Sequence, residues 1–182
     1  MIFQATPIKG AYIVDIVPKR DERGFFARVA CENEFNAVSL SSAFKQCNMQ
    51  YNPRRSTLRG MHFQRGPYAE EKLVRCTKGA IYDVIADITP GSPTYRKWFG
   101  VELNEWNRRM IYVPKGIAHG YITLSDNTET FYMVTEFYVP EYECGIRFDD
   151  PAFGIVWPDV GTLIISDKDR MWPLLLVPEL SL

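Results

Sequence analysis

Apolar residues recur along this chain in short runs separated by Gly, Pro, Asn and Asp, the punctuation of β-structure. The runs at residues 11–17, 73–76, 80–88, 109–113 and 121–124 predict strands, and 25–29 predicts another after the turn-like Asp21-Glu22-Arg23-Gly24. In residues 130–138, alternation puts Tyr132, Val134, Glu136 and Tyr138 on one face, with Phe131, Met133, Thr135 and Phe137 on the other. The first face is the more polar, the second largely apolar. Residues 34–42 read as a short helix with weak apolar spacing, and the chain from residue 158 onward reads as an irregular packed tail. Many short strands and few helices predict a mainly β sandwich or barrel. With no internal repeat or linker, the 182 residues read as one domain, 1–182, with a substantial core.

Composition narrows the function class. Hydrophobic residues make up 46% and aromatic residues 14%, as in a globular protein. Twenty-one basic against 22 acidic residues leave a net charge of −1, so no basic surplus points to a nucleic-acid partner. The N-terminus lacks the charged and apolar regions of a signal peptide, and no apolar run approaches the roughly 20 residues of a membrane span. A cytoplasmic protein with no membrane association is expected. The four cysteines, Cys31, Cys47, Cys76 and Cys144, are scattered without a Cys-x-x-Cys, which predicts free thiols.

Two segments carry candidate chemistry. Pro114-Lys115-Gly116-Ile117-Ala118-His119 matches the Pro-x-Gly-x-x-His signature of cupin barrels, a tight turn into a strand that presents a histidine inward. Gly60-Met61-His62 opens a segment like the earlier cupin motif, but its His-x-His position reads His62-Phe63-Gln64. One metal ligand is thereby missing. His62, His119 and Gln64 make a poor ligand set, which speaks against a metal; no cofactor is expected.

With these pieces assembled, the chain resembles the dTDP-4-dehydrorhamnose 3,5-epimerase family. The resemblance runs from about Ile13 to Pro158, with Asp169 beyond. Its landmarks include Glu22-Arg23-Gly24-Phe25-Phe26, Gln46-Cys47-Asn48, Leu58-Arg59-Gly60-Met61-His62-Phe63-Gln64, Lys72-Leu73-Val74-Arg75 and Gly145-Ile146-Arg147-Phe148-Asp149-Asp150-Pro151. Each is weak alone; their order and number are specific. The resemblance implies a cupin-type jelly-roll barrel, a homodimer formed through exchanged N-terminal strands, and catalysis without metal.

The implied substrate is a nucleoside-diphospho-4-keto-6-deoxy-sugar, whose C4 ketone acidifies the hydrogens on C3 and C5. Inversion then needs a base on one face, a stabiliser of the enolate oxygen and an acid on the other face. By the resemblance, His62 is the base, Asp169 orients it, Lys72 meets the developing oxyanion and Tyr132 returns the proton. Tyr138 would stack on the nucleobase, and Phe26 would flank it. Arg23, Arg59, Gln46 and Asn48 would contact nucleotide or diphosphate, and His119 and Glu143 would lie near the sugar.

The residues surrounding these contacts depart from the family pattern: Arg28 stands where an acidic residue is common, and Glu71 where glycine is frequent before lysine. C3-only epimerisation, or another base or sugar such as a GDP- or CDP-linked hexose or heptose, therefore stays open beside the 3,5-epimerase. Two other classes also stay open, a metal-dependent cupin and a non-catalytic sugar-nucleotide binding module.

Overall fold

The computed structural model describes residues 1–175. Its strands are β1 (Ile2–Ala5), β2 (Tyr12–Asp15), β3 (Lys19–Asp21), β4 (Gly24–Phe26), β5 (Gln46–Asn52), β6 (Leu58–Gln64) and β7 (Lys72–Lys78). They continue with β8 (Ala80–Asp87), β9 (Trp98–Asn104), β10 (Met110–Val113), β11 (Ile117–Thr123), β12 (Thr128–Val134) and β13 (Glu143–Gly145). Two short helices, α1 (Glu32–Asn36) and α2 (Asp167–Arg170), and single 3-10 turns at Gly66–Tyr68 and Pro140–Tyr142 complete the elements.

A six-stranded sheet runs in the order β1-β2-β10-β7-β12-β5, and a five-stranded sheet in the order β13-β6-β11-β8-β9. The two are joined by residues that alternate inward from each. Ile13, Val74, Ile111 and Val113 of the first meet Ile81, Ile85, Leu103 and Ile117 of the second in one buried cluster. Such side chains contribute about 1.5–3 kcal/mol each when fully buried, so this end of the interior holds the sheets together. At the other end the inward positions are polar: β5 turns Gln46, Asn48, Gln50 and Asn52 inward, opposite Tyr132 and Thr130 of β12. That polar half is the candidate site.

The outer faces are covered differently. Phe35 of α1, with Leu40 and Phe44, packs on Leu73, Met110 and Tyr112 outside the six-stranded sheet. The segment after β13 covers the five-stranded sheet with Ile146, Phe153, Trp157 and Val160. No helix among the described residues is long and apolar enough to cross a membrane.

Two of the predicted elements end well short of their expected bounds. The helix expected over residues 34–42 is only Glu32–Asn36, and Ser39 beyond it takes a left-handed φ of 60°. The strand expected over 130–138 stops at Val134: the Thr135 N–H still donates to the Glu71 carbonyl, but from Phe137 onward the backbone groups bond side chains instead of a neighbouring strand. The Tyr138 N–H donates to Gln46, the Val139 N–H donates to Gln64, and the Phe137 carbonyl accepts from Gln64. The irregular tail is present as far as Leu175; its remainder, residues 176–182, lies outside the described residues.

Candidate active site

The polar half of the barrel encloses two adjoining spaces. An outer cavity of about 340 Å³ is lined by Gln46, Asn48, Glu70, Tyr138 and Glu143, together with His62, Lys72 and Tyr132. Its size falls within the roughly 300–1,000 Å³ of small-ligand sites. An inner recess of about 60 Å³ shares His62, Lys72 and Tyr132 and adds Gln50, Arg59, His119 and Tyr121. His62, Lys72 and Tyr132 therefore stand where the two spaces meet.

The chain places His62 by a close strand approach. His62 on β6 is registered against His119 on β11, with a shift in register between His119 and Tyr121. A Cβ at Gly60, whose φ is 126°, would fall 2.6 Å from Gly120 Cα and 2.9 Å from the His119 oxygen. Glycine is thus required at both positions for these strands to meet. The irregularity also lets Arg59 and His62, three residues apart, both face the recess, which strict alternation forbids. On β11 the cupin turn behaves as its sequence predicts, with Gly116 at a φ of 78°.

Each histidine is held by a buried carboxylate. His62 Nε2 lies 2.6 Å from Asp169 Oδ1, and the Gly60 N–H donates to Asp169 Oδ2 at 3.1 Å. Asp169 comes from α2, where the Ser166 side chain caps the helix by accepting its N–H. Burial pushes the Asp169 carboxyl up, but the hydrogen bond and charge of His62 and the Gly60 N–H outweigh it and hold the carboxyl below its ordinary value. His119 Nε2 lies 2.8 Å from Asp83 Oδ2. Asp83 is fully buried, its Oδ1 lacks a partner among the described residues, and burial raises its carboxyl against the opposing pull of His119 and Lys72.

The tyrosines differ in the same way. The Tyr121 hydroxyl donates to Gln50 and accepts from Asn52, so its hydrogen bonds are satisfied by protein. The Tyr132 hydroxyl has no hydrogen-bond partner among the described residues, and desolvation raises its pKa. At the outer rim the Tyr138 hydroxyl donates to Glu143 at 2.5 Å, which pushes it up to about 12. Glu143 also accepts from Lys168 at 2.6 Å.

The structure therefore brings His62, Lys72, Tyr132, Asp169, Gln46, Asn48, His119, Tyr138 and Glu143 to one site. Arg59 lines the inner recess. Asn52 accepts from its Nε at 2.7 Å and draws it into the inner recess beside His119. Arg23 and Phe26 line neither of these two cavities. They sit on the separate β3–β4 hairpin, where the Arg23 side chain is 84% exposed beside Asp21 and Phe26 is 68% exposed. Gln64, at the missing metal-ligand position, spends its amide on Tyr68, Glu70, Phe137 and Val139. No group of three or more His, Cys, Asp or Glu residues is placed to hold a metal ion among the described residues.

Sequence reasoning missed Gln50, Tyr121, Asp83 and Glu70. The alternating polar residues from Gln46 to Asn52 were an available signal for Gln50. Tyr121 and Asp83 became visible only when β11 and β8 paired, which sets them opposite each other.

A jelly-roll barrel with two carboxylate-bound histidines, two cations and an unpartnered tyrosine around one recess is a cupin-type scaffold furnished for proton transfer next to an anionic centre. Comparison with known proteins makes the class particular. The family model described as dTDP-4-dehydrorhamnose 3,5-epimerase matches residues 5–176. The chain is 41% identical to the dTDP-4-dehydrorhamnose 3,5-epimerase of Sinorhizobium fredii over 96% of this chain and 90% of that one. It is 44% identical to that of Methanothermobacter thermautotrophicus, over 93% and 92%. The crystal structure of the Bacillus anthracis enzyme, with TDP and PPi bound, superposes with a TM-score of 0.91 at 38% identity, covering 96% of this chain and 99% of that chain. This chain belongs to the dTDP-4-dehydrorhamnose 3,5-epimerase family, whose members are isomerases.

Proposed function

We propose that this protein inverts C3 and C5 of a dTDP-linked 4-keto-6-deoxyhexose, using its own side chains and no metal or other cofactor. The observation that carries this reading is the His62–Asp169 pair at 2.6 Å, sharing one recess with Lys72 and the unpartnered Tyr132. Asp169 accepts a hydrogen bond from the Nε2–H, so His62 presents Nδ1 to the substrate. That nitrogen takes the proton from the carbon next to the ketone, and the bonding electrons move to O4 as an enolate. Asp169 stabilises the imidazolium formed. Lys72 and Arg59 supply two fixed positive charges in the recess, suited to an oxyanion. Tyr132 then gives its proton to the same carbon from the opposite face, which inverts it, and the site is reset by proton exchange. The nucleotide lies in the outer cavity, with its base against the exposed ring of Tyr138 and polar contacts from Gln46 and Asn48.

The working form in this reading is a homodimer. Arg23 and Phe26 stand exposed on a hairpin away from their own cavity, as residues would that complete the nucleotide end of a partner's site.

Proton NMR in D2O with a dTDP-linked 4-keto-6-deoxyhexose and no added metal tests the proposal. Loss of both the H3 and H5 signals is expected. Loss of H3 alone would make the protein a 3-epimerase, and binding without exchange would make it a binding module.

A further inference from the structure

Glu70 lies beside Lys72 in the wall of the outer cavity, and the proton-transfer scheme above does not use it. Both side chains are nearly buried, 7% and 12% exposed, with Glu70 Oε1 3.2 Å from Lys72 Nζ. The other carboxylate oxygen accepts from Gln64 Nε2 at 2.9 Å. That amide is itself fixed. Its nitrogen also faces the carbonyls of Tyr68 at 3.0 Å and Phe137 at 3.1 Å, and its oxygen accepts the Val139 N–H at 2.7 Å. The Glu70 carboxylate is thus braced from behind and aimed at one ammonium.

A lysine ammonium has three N–H donors at the end of a flexible four-carbon stem, so alone it holds no fixed direction. At Lys72 the His62 carbonyl, 3.3 Å away, accepts one N–H, and the Glu70 carboxylate holds the ammonium as an ion pair at 3.2 Å. The ammonium keeps donor capacity for whatever enters the junction of the two cavities. We propose that Glu70 is a positioning residue, which with Gln64 as its brace fixes the Lys72 ammonium so that its remaining donor meets the substrate oxygen. The proposal rests on Lys72 acting on the C4 oxygen, as argued above. A negative charge beside a developing enolate opposes catalysis by itself. The benefit of Glu70 therefore lies in the geometry it imposes on Lys72, and an uncharged acceptor of the same shape should supply much of it.

The test is a double-mutant cycle on the full-length protein, read as kcat and KM for loss of H3 and H5 in D2O, with dTDP affinity titrated separately. Glu70→Ala should lower kcat by roughly tenfold or more while KM and dTDP affinity stay within about threefold. Glu70→Gln, which keeps an acceptor for Lys72, should recover at least about a third of wild-type kcat. In a Lys72→Ala background, Glu70→Ala should cost less than about twofold more. Wild-type kcat in Glu70→Ala, a loss confined to KM, or an equal loss in both backgrounds would each overturn the proposal. Should Glu70→Ala fail to fold, Glu70→Met, close in volume, takes its place in the cycle with the same outcomes deciding. A Lys72→Ala protein at the wild-type rate would overturn the Lys72 assignment and the role of Glu70 with it. No exchange by the wild-type protein would overturn the proposed reaction itself.

Discussion

Asp169 and Asp83 each face a histidine Nε2, yet burial and partners act on them in opposite senses. Asp169 has both oxygens engaged, so its carboxyl lies below the ordinary 3.8. The unfolded chain then binds its proton more tightly than the folded one. The stability this pair contributes is complete above that value and is lost as pH falls through the folded pKa. Asp83 is fully buried, with one oxygen unpartnered among the described residues, and burial holds its carboxyl above 3.8. Its contribution is complete below 3.8 and is lost as pH rises through the folded pKa. Denaturant titrations across the acid range should show Asp169→Asn flattening the rise of stability with pH and Asp83→Asn steepening it. An unchanged slope in either variant contradicts that assignment. The tyrosines yield a separate prediction. Tyr132→Phe leaves His62 able to remove and return a proton on one face. Solvent deuterium should enter with configuration retained while inverted product falls by roughly 10²–10⁴-fold. Unchanged inversion would remove Tyr132 as the acid. At this scale the sequence was readable where a residue type and its motif coincide, as at His62 and Lys72. It was unreadable at Glu70, which looks like a solvated charge next to Glu71 until Gln64 and Lys72 fold around it.

Strands were legible where apolar alternation is unbroken. The expected 80–88 run is β8, and the 73–76 run is the centre of β7. β5 and β6 escaped because their inward faces are polar: a strand lining a cavity lacks the apolar face by which a strand is usually recognised. The early end of β12 escaped for a related reason, since Gln46 and Gln64 take backbone partners that no local pattern announces. Tyr132, Val134, Glu136 and Tyr138 all line the outer cavity, as their alternation predicts, although the last two stand beyond the end of β12. The close approach of β6 to β11 carries its own prediction. Gly60→Ala adds a carbon against the Gly120 backbone at a φ of 126°. Positive-φ strain costs about 1–3 kcal/mol and overpacking about as much again. The denaturation midpoint should fall accordingly, and exchange activity should fall with it as His62 is displaced. A variant of native stability and activity would show that this contact does not set the site.

The barrel as a whole divides its interior between an apolar end that joins the sheets and a polar end that lines the two cavities. Composition revealed the first and could not reveal the second, because a net charge of −1 conceals two cations gathered in one recess. Arg23 and Phe26 stand exposed on the β3–β4 hairpin, and in the proposed dimer they would serve the partner's cavity. Sedimentation should give twice the mass of one chain. Phe26→Ala and Arg23→Ala should weaken dTDP affinity without altering the fold; full affinity in both variants would exclude the hairpin from the site.

The central claim is that His62, set by Asp169, takes the proton. The most direct measurement is the rate of deuterium entry at C3 and C5 of a dTDP-linked 4-keto-6-deoxyhexose, comparing wild type with His62→Asn, with dTDP binding confirmed for both. The account predicts rapid entry at both carbons for wild type and a loss of at least about 10²-fold at both for the variant. Entry at either carbon at the wild-type rate in His62→Asn would contradict it.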